Sequence, residues 1–244
     1  MSSPPNAPPL DRPALLSALR ARIARLERAG ASEALATRGE DAIPLSPAID
    51  SGLPWGGLPR AALHEILAAE PGAAAGFAAL VLGRAGGTVL WIAPDPDAWP
   101  PGLARFGLSP TQLVLVRAPR AQDALWAMEE TLRCPAVGAA LLMTGALDLT
   151  AARRLQLAAE AGGVLGLLLR PDEDGAAPTA ALTRWRIGAA PSDSTSQHAI
   201  GDPAWNLDLL RCRGGRPTTW RATWHGSDLV TEDGTGTVTT RRRA

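Results

Sequence analysis

The sequence predicts an α/β fold with a mostly parallel central sheet, antiparallel strands at its C-terminal edge and an N-terminal helix. Three observations carry this reading. Between Ala62 and Leu169, short apolar runs alternate with helical stretches, and near-continuous apolar runs suit parallel strands covered on both faces. From Ala180 onward, "ALTRWRIG", "AWNLDLLRCR" and "TTWRATWHG" alternate in polarity, and "RGGRP" supplies a tight turn between the last two, the pattern of an antiparallel extension. Ahead of both, Leu15, Leu19, Ile23 and Leu26 form one helical stripe with arginines on the other side.

The elements follow in order. Residues 1–41 are expected to be a lead and a helical arm: "MSSPPNAPP" lacks the composition of a folded segment, and a helix is predicted over Pro13–Leu35 with Asp11 as N-cap and Pro13 in its first turn. "TRGEDAIP" links the arm to a core expected over 42–226. There, strands are predicted at Ala62–Ala68, Thr88–Ala93, Leu113–Val116, Gly138–Met143 and Val164–Leu169. Helices are predicted at Gly72–Arg84, near Pro101–Phe106, at Gln122–Leu132 and at Thr150–Ala161. Residues 227–244 read as a polar, mobile tail.

Composition narrows the class. A chain of 244 residues can bury one core of ordinary size with a short appendage. No apolar run approaches the ~20 residues of a membrane span, and the N-terminus has no signal-peptide pattern. Cys134 and Cys212 are far apart and without metal-ligand spacing, so a reduced, cytoplasmic chain with no metal is expected. Its 24 basic and 24 acidic residues balance, which gives no global preference for a polyanion. Every basic residue is arginine; there is no lysine and no tyrosine, whereas tryptophan occurs eight times. Lysine-dependent chemistry is therefore excluded.

The stretch "LHEILAAEPGAAAGFAALVL", Leu63–Leu82, has the layout of a P-loop: strand, glycine-containing turn, helix. A working P-loop, G-x-x-x-x-G-K-[ST], wraps phosphates with backbone N–H groups, adds a lysine charge and holds Mg²⁺ with a hydroxyl. Gly72 and Gly76 are present, but Phe77 and Ala78 stand where Lys and Ser/Thr belong. These four residues read as a degenerate P-loop, a packed turn and buried helix that holds no cofactor. No catalytic constellation emerges elsewhere: His64, His198 and His225 are isolated, and His64, inside an apolar run, reads as a satisfied strand residue. Trp205, Trp220 and Trp224 read as sheet core, Trp185 fits either a core or a surface position, and Trp55, among glycines and prolines, reads as an exposed anchor.

"IPLSPAIDSGLPWGGLPRAALHEI" resembles the segment that leads into the core of RecA-type recombinases, matched here by Asp50, Gly56, Gly57, Leu58, Pro59, Glu65 and Ile66. The likeness continues through "LWIAPDPDAWPPGLARFGLSPTQLVLVRAP" to "RWRIGA" and "WNLDLLRCRGGRP", covering residues 42–225. Within that superfamily the chain is most similar to the ImuA family, by "GGLPRAALHE", the alanine-rich false P-loop and the closing "LLRCRGGRP…W".

The resemblance implies a RecA-like core acting as a pseudo-ATPase: a non-catalytic adaptor of SOS-induced translesion synthesis, recruited to damaged DNA in the nucleoid. The partners it implies are an ImuB-like inactive Y-family polymerase and RecA, with a DnaE-type polymerase reached indirectly. Asp95 and Asp97 lie near the place of the family's catalytic Glu, while Thr144 and Gly145 stand where its Mg²⁺-holding acid would follow "GAALLM". The loops in the positions of its DNA-binding loops lack a long glycine-rich stretch or carry Asp172, Glu173 and Asp174, so DNA binding is expected to be weak or absent. Partner-binding candidates are Leu15, Leu19, Ile23 and Leu26 on the arm, Trp55, and Arg211, Arg213, Arg216 and Arg221 around the terminal hairpin. The alternatives are a SulA-like inhibitor of FtsZ and a divergent DNA-binding recombinase paralogue.

Overall fold

A computed structural model describes residues 41–172, 178–192 and 201–232. The arm candidates Leu15, Leu19, Ile23 and Leu26 lie outside those residues, as does His198. The chain enters through a two-stranded antiparallel ribbon, β1 (Ala42–Ile43) with β2 (Leu58–Pro59), which brackets the short helix α1 (Pro47–Gly52). Ser46 caps α1 by accepting from the Ile49 N–H. Gly57 closes the ribbon with φ 154°, and a Cβ there would lie 2.6 Å from the Ile43 carbonyl oxygen, so the glycine of this segment is a steric requirement. Asp50 accepts from the Leu45 N–H at 2.9 Å. Burial pushes its carboxyl above the usual value, against the hydrogen bond and the nearby Arg84 charge.

Six parallel strands follow, interleaved with helices: β3 (Leu63–Ala68), α2 (Pro71–Ala85), β4 (Thr88–Ala93), α3 (Pro100–Ala104), β5 (Leu113–Arg117), α4 (Ala121–Leu132), β6 (Val137–Met143), α5 (Leu149–Gly162), β7 (Leu165–Pro171) and β8 (Thr183–Ala189). Three strands close the sheet: β9 (Ala204–Cys212), β10 (Thr218–Trp224) and β11 (Leu229–Thr231). The nine-stranded order is β11-β10-β9-β8-β3-β7-β6-β4-β5. Each predicted core element is found within a residue or two of its expected bounds. Two expectations are corrected. "ALTRWRIG" does not open the antiparallel extension; β8 lies parallel on β3 and antiparallel only to β9. Its alternation arises because no described helix covers the face bearing Arg184 and Arg186, so those positions are filled by ion pairs. The sheet also runs on to Thr231, through β11, into the segment expected to be a tail.

Two layers cover the sheet. Helix α2 lies over β3, β6, β7 and β8, and its Phe77 packs against Trp185 and Trp205 at ring-centroid distances of 6.2 and 6.1 Å. Helices α4 and α5 cover the opposite face through an aliphatic cluster that includes Leu63, Met128, Leu132, Leu142, Leu155 and Leu168. Among the described residues no helix is long and apolar enough to cross a membrane.

Candidate functional site

Parallel strands turn into helices at their C-terminal ends, and α/β sheets place their ligands there. At that end of β3, β4, β6 and β7 lies a cavity of about 800 Å³. The transition from β3 to α2 forms one wall. Only Ala69 and Glu70 separate the two elements, because the helix already begins at Pro71. Proline suits the first helical turn, where its missing N–H costs nothing, and the Ala74 N–H closes a helical bond to the Glu70 carbonyl at 3.1 Å. The residues that would wrap phosphates in a P-loop are thus helical, Gly72 and Gly76 included.

The start of α2 is also stitched to its neighbours. Ala69 donates to the Ile187 carbonyl at 3.0 Å, the Glu70 carboxylate accepts from the Ala189 N–H at 2.8 Å, and Trp205 Nε1 donates to the Ala73 carbonyl at 2.9 Å. The Glu70 side chain makes no capping bond to the helix N–H groups, so its carboxylate acts on the positive helix end through charge alone. Phe77 and Ala78 do not face the cavity; both are buried, 1% and 0% exposed. Of the four degenerate P-loop residues, the structure places the two glycines in the cavity wall and the other two in the core.

Thr144 and Gly145 line the cavity, as does Asp97, whereas Asp95 forms a surface ion pair with Arg117 at 3.4 Å. Arg170 is the cationic residue of the lining, and Glu65 engages it: Nη1 to Oε1 is 2.5 Å, while Glu65 Oε2 takes Arg184 Nε at 2.6 Å. Glu65 is 1% exposed, so this pair of arginines is what makes a carboxylate tolerable inside the sheet. Asp172, also in the lining, pairs with Arg186 at 2.8 Å. Asp208 lies beside this pair; burial raises its carboxyl above the ordinary value, Arg186 acting against that and Asp172 with it. His64 accepts from the Thr183 hydroxyl at Nδ1 (2.7 Å) and donates from Nε2 to the Pro59 carbonyl (2.9 Å), an arrangement consistent with Trp185 Nε1 donating to the same hydroxyl. It is a satisfied core residue. Among the described residues no group of three His, Cys, Asp or Glu side chains gathers as a metal site.

The rest of the cavity wall is apolar: Trp91, Trp99, Leu103, Phe106, Met143 and Leu169. The sequence reading missed these residues as a site. The available signal was "AWPPG", in which a tryptophan precedes a helix start and a glycine follows three residues later.

The partner candidates fare differently. Trp55 is 5% exposed, so its assignment as a surface anchor is corrected: burial leaves no open ring face to present. Trp185 is core at 1%. Arg211, Arg213 and Arg216 are exposed at the β9–β10 turn, where Arg211 donates to the Thr179 carbonyl at 2.5 Å. Arg221 is separate from them: it bonds the Pro191 carbonyl at 2.7 Å and pairs with Glu232 at 3.3 Å. It faces Asn206, so it stands roughly 16 Å along the strand from Arg211. The turn lies at the opposite end of the sheet from the cavity, since Arg213 donates to the Leu182 carbonyl and Leu182 to that of Leu63, the first residue of β3.

No family model matches the chain. It is similar to the protein ImuA of Caulobacter vibrioides strain NA1000 / CB15N and to that of strain ATCC 19089 / CIP 103742 / CB 15. Each is 41% identical over 193 residues, spanning 71% of this chain and 79% of the relative. Among solved structures the chain is similar to that of the RadB recombinase, with a TM-score of 0.55 and 11% identity over 74% of this chain and 94% of that one. At that identity the likeness is one of fold, and the fold is RecA-like.

Proposed function

The chain belongs to the ImuA family, and on that premise we propose that it is a non-catalytic adaptor of translesion DNA synthesis, working through contacts with an ImuB-like polymerase relative and with RecA. One observation supports this above the others: α2 begins at Pro71, directly after Glu70, so no loop remains to cradle a triphosphate. The absence of any lysine and the burial of Phe77 and Ala78 point the same way. Phosphoryl transfer depends on positioned charge at the γ-phosphate, and neither Thr144 nor Gly145 supplies a carboxylate for the metal.

The polymerase-side contact falls in this reading on the β9–β10 turn. Arg213 and Arg216 are exposed and reach out from a turn that packs by Gly215 against Pro54 and Cys212. Arginine's planar fork suits interface anchoring.

Thermal denaturation with and without Mg-ATP tests the loss of the nucleotide site. A bound nucleotide at a hundredfold excess over its dissociation constant adds about 2.7 kcal/mol; the expected shift is nil, and a saturable rise overturns the non-catalytic reading. Binding of the purified ImuB-like partner to wild type and to Arg213→Ala/Arg216→Ala then tests the turn. Weaker binding at an unchanged Tm supports it, and equal binding removes the turn from the interface.

A further inference from the structure

The cavity lacks a phosphate cradle, yet its size of about 800 Å³ falls in the range of small-molecule sites. We propose that it binds an organic cation, an ammonium or guanidinium carried on an aromatic or aliphatic frame. This concerns the cavity's own ligand and stands independently of the adaptor role.

Three rings build the wall, and two glycines shape it. Trp91 is buried and held by an Nε1 contact to Met143 Sδ at 3.3 Å. Phe106 lies against α2 where a Cβ on Gly76 would meet its Cζ at 3.0 Å, and it leans on Trp205 at 5.6 Å. Trp99 lies across the first turn of α3, where a Cβ on Gly102 would stand 2.8 Å from the ring. The glycines let both rings lie close against helices. Trp99 nevertheless remains 69% exposed, a large apolar surface left at the rim.

Charge selects the ligand. The lining holds two carboxylates, Asp97 and Asp172, against the guanidinium of Arg170. Arg170 is engaged by Glu65 and Asp172 by Arg186. Asp97 is exposed, forms no ion pair among the described residues and sits two residues before Trp99. A carboxylate and an exposed indole lining the same cavity are the pairing that holds an alkylammonium or guanidinium, by charge and by the ring quadrupole together. The apolar frame then lies between Trp91 and Phe106. An anion meets Asp97 at the rim, and among the described residues the one cation of the lining, Arg170, is already paired through Nη1 with Glu65.

One frame with three charges tests this on the full chain: phenethylamine, phenethyl alcohol and phenylacetate, followed by saturation-transfer NMR and by tryptophan fluorescence. Phenethylamine is expected to bind about tenfold more tightly than phenylacetate, with the alcohol between them. Asp97→Asn should weaken the amine about threefold and leave the alcohol unchanged. Trp99→Ala should weaken both. Both residues are exposed, so both variants should keep the wild-type Tm. Equal binding of the three probes, no binding of any, tighter binding of phenylacetate, or an unchanged amine-to-acetate ratio in Asp97→Asn overturns the proposal. The adaptor reading fails instead on Mg-ATP stabilisation, so the two failures are distinguishable.

Discussion

Under α2 the sheet is packed with rings; under α4 and α5 it is packed with aliphatic side chains. On the first face Phe77 meets Trp185 and Trp205, Trp205 meets Phe106, and Trp185 meets Trp220 at 5.8 Å. Three tryptophans of this face are pinned by a polar bond: Trp185 to the Thr183 hydroxyl, Trp205 to the Ala73 carbonyl and Trp224 to the Arg105 carbonyl. The second face joins leucines, alanines and Met128 in a cluster that contains no ring. Aliphatic packing spreads burial over many small, adaptable groups. Ring packing concentrates it in a few large ones with fixed partners, so one substitution there removes more.

Phe77→Lys is the sharpest way to break the ring face, and the largest effect expected. It restores the lysine a P-loop requires, but places an ammonium among Trp185 and Trp205 at a position 1% exposed. The loss of ring burial and the unpaired charge together should cost more than about 4 kcal/mol. Circular-dichroism melting should show an unfolded or strongly destabilised chain with no gain of nucleotide binding. A wild-type Tm would mean that the rings are not what holds this face.

That residue also marks the boundary of what was legible. In the sequence Phe77 was evidence of something missing; in the fold it is the centre of a core. The strands and helices were readable because continuous apolar runs and helical spacing follow from burial on two faces. Trp205, Trp220 and Trp224 were readable as core because they alternate with polar residues. Trp55 and Trp185 were not, since burial of an isolated tryptophan is decided by contacts from distant segments. The cavity shares that limit: Trp91, Trp99 and Phe106 come from three separate elements, and only the parallel topology brings them together.

The aliphatic face should respond more mildly. Leu132 is fully buried in that cluster, and Leu132→Ala should cost about 3 kcal/mol, a fall in Tm of roughly 10 °C for a chain of this size. A loss as large as that of Phe77→Lys would erase the distinction between the faces.

Helix α2 allows a finer test within one element. A Cβ on Gly83 would stand 2.5 Å from the Gly107 carbonyl group, whereas Gly72 has open space around it. Replacing a helical glycine by alanine ordinarily stabilises by about 0.5–1 kcal/mol. Gly72→Ala should therefore raise the Tm slightly, and Gly83→Ala should instead cost about 2 kcal/mol through backbone overlap. If both variants gained stability, the close seat of α2 against the α3–β5 loop would be wrong.

The smallest effect uses the two cysteines as reporters, one at each layer. Cys134 is exposed just beyond α4, and Cys212 is buried at the end of β9 on the ring side, beneath Gly215. Burial pushes the Cys212 thiol from 9.0 up to about 11, although the Gly215 backbone opposes it. Two pH units mean roughly a hundredfold less thiolate at pH 8, and thiolate is the form that alkylates. Mass spectrometry after iodoacetamide treatment at pH 8 should find Cys134 modified and Cys212 intact. The sign of the linkage follows: between 9.0 and about 11 the unfolded chain ionises this thiol while the folded chain does not, so its contribution to stability is full below 9.0 and declines as pH rises through that window. Phe77→Leu, which loosens the rings without adding charge, should speed Cys212 labelling, whereas Leu132→Ala should leave it slow if the layers open independently. Equal acceleration in both variants would show that the two faces unfold as one cooperative unit, and that their difference lies in side-chain chemistry alone.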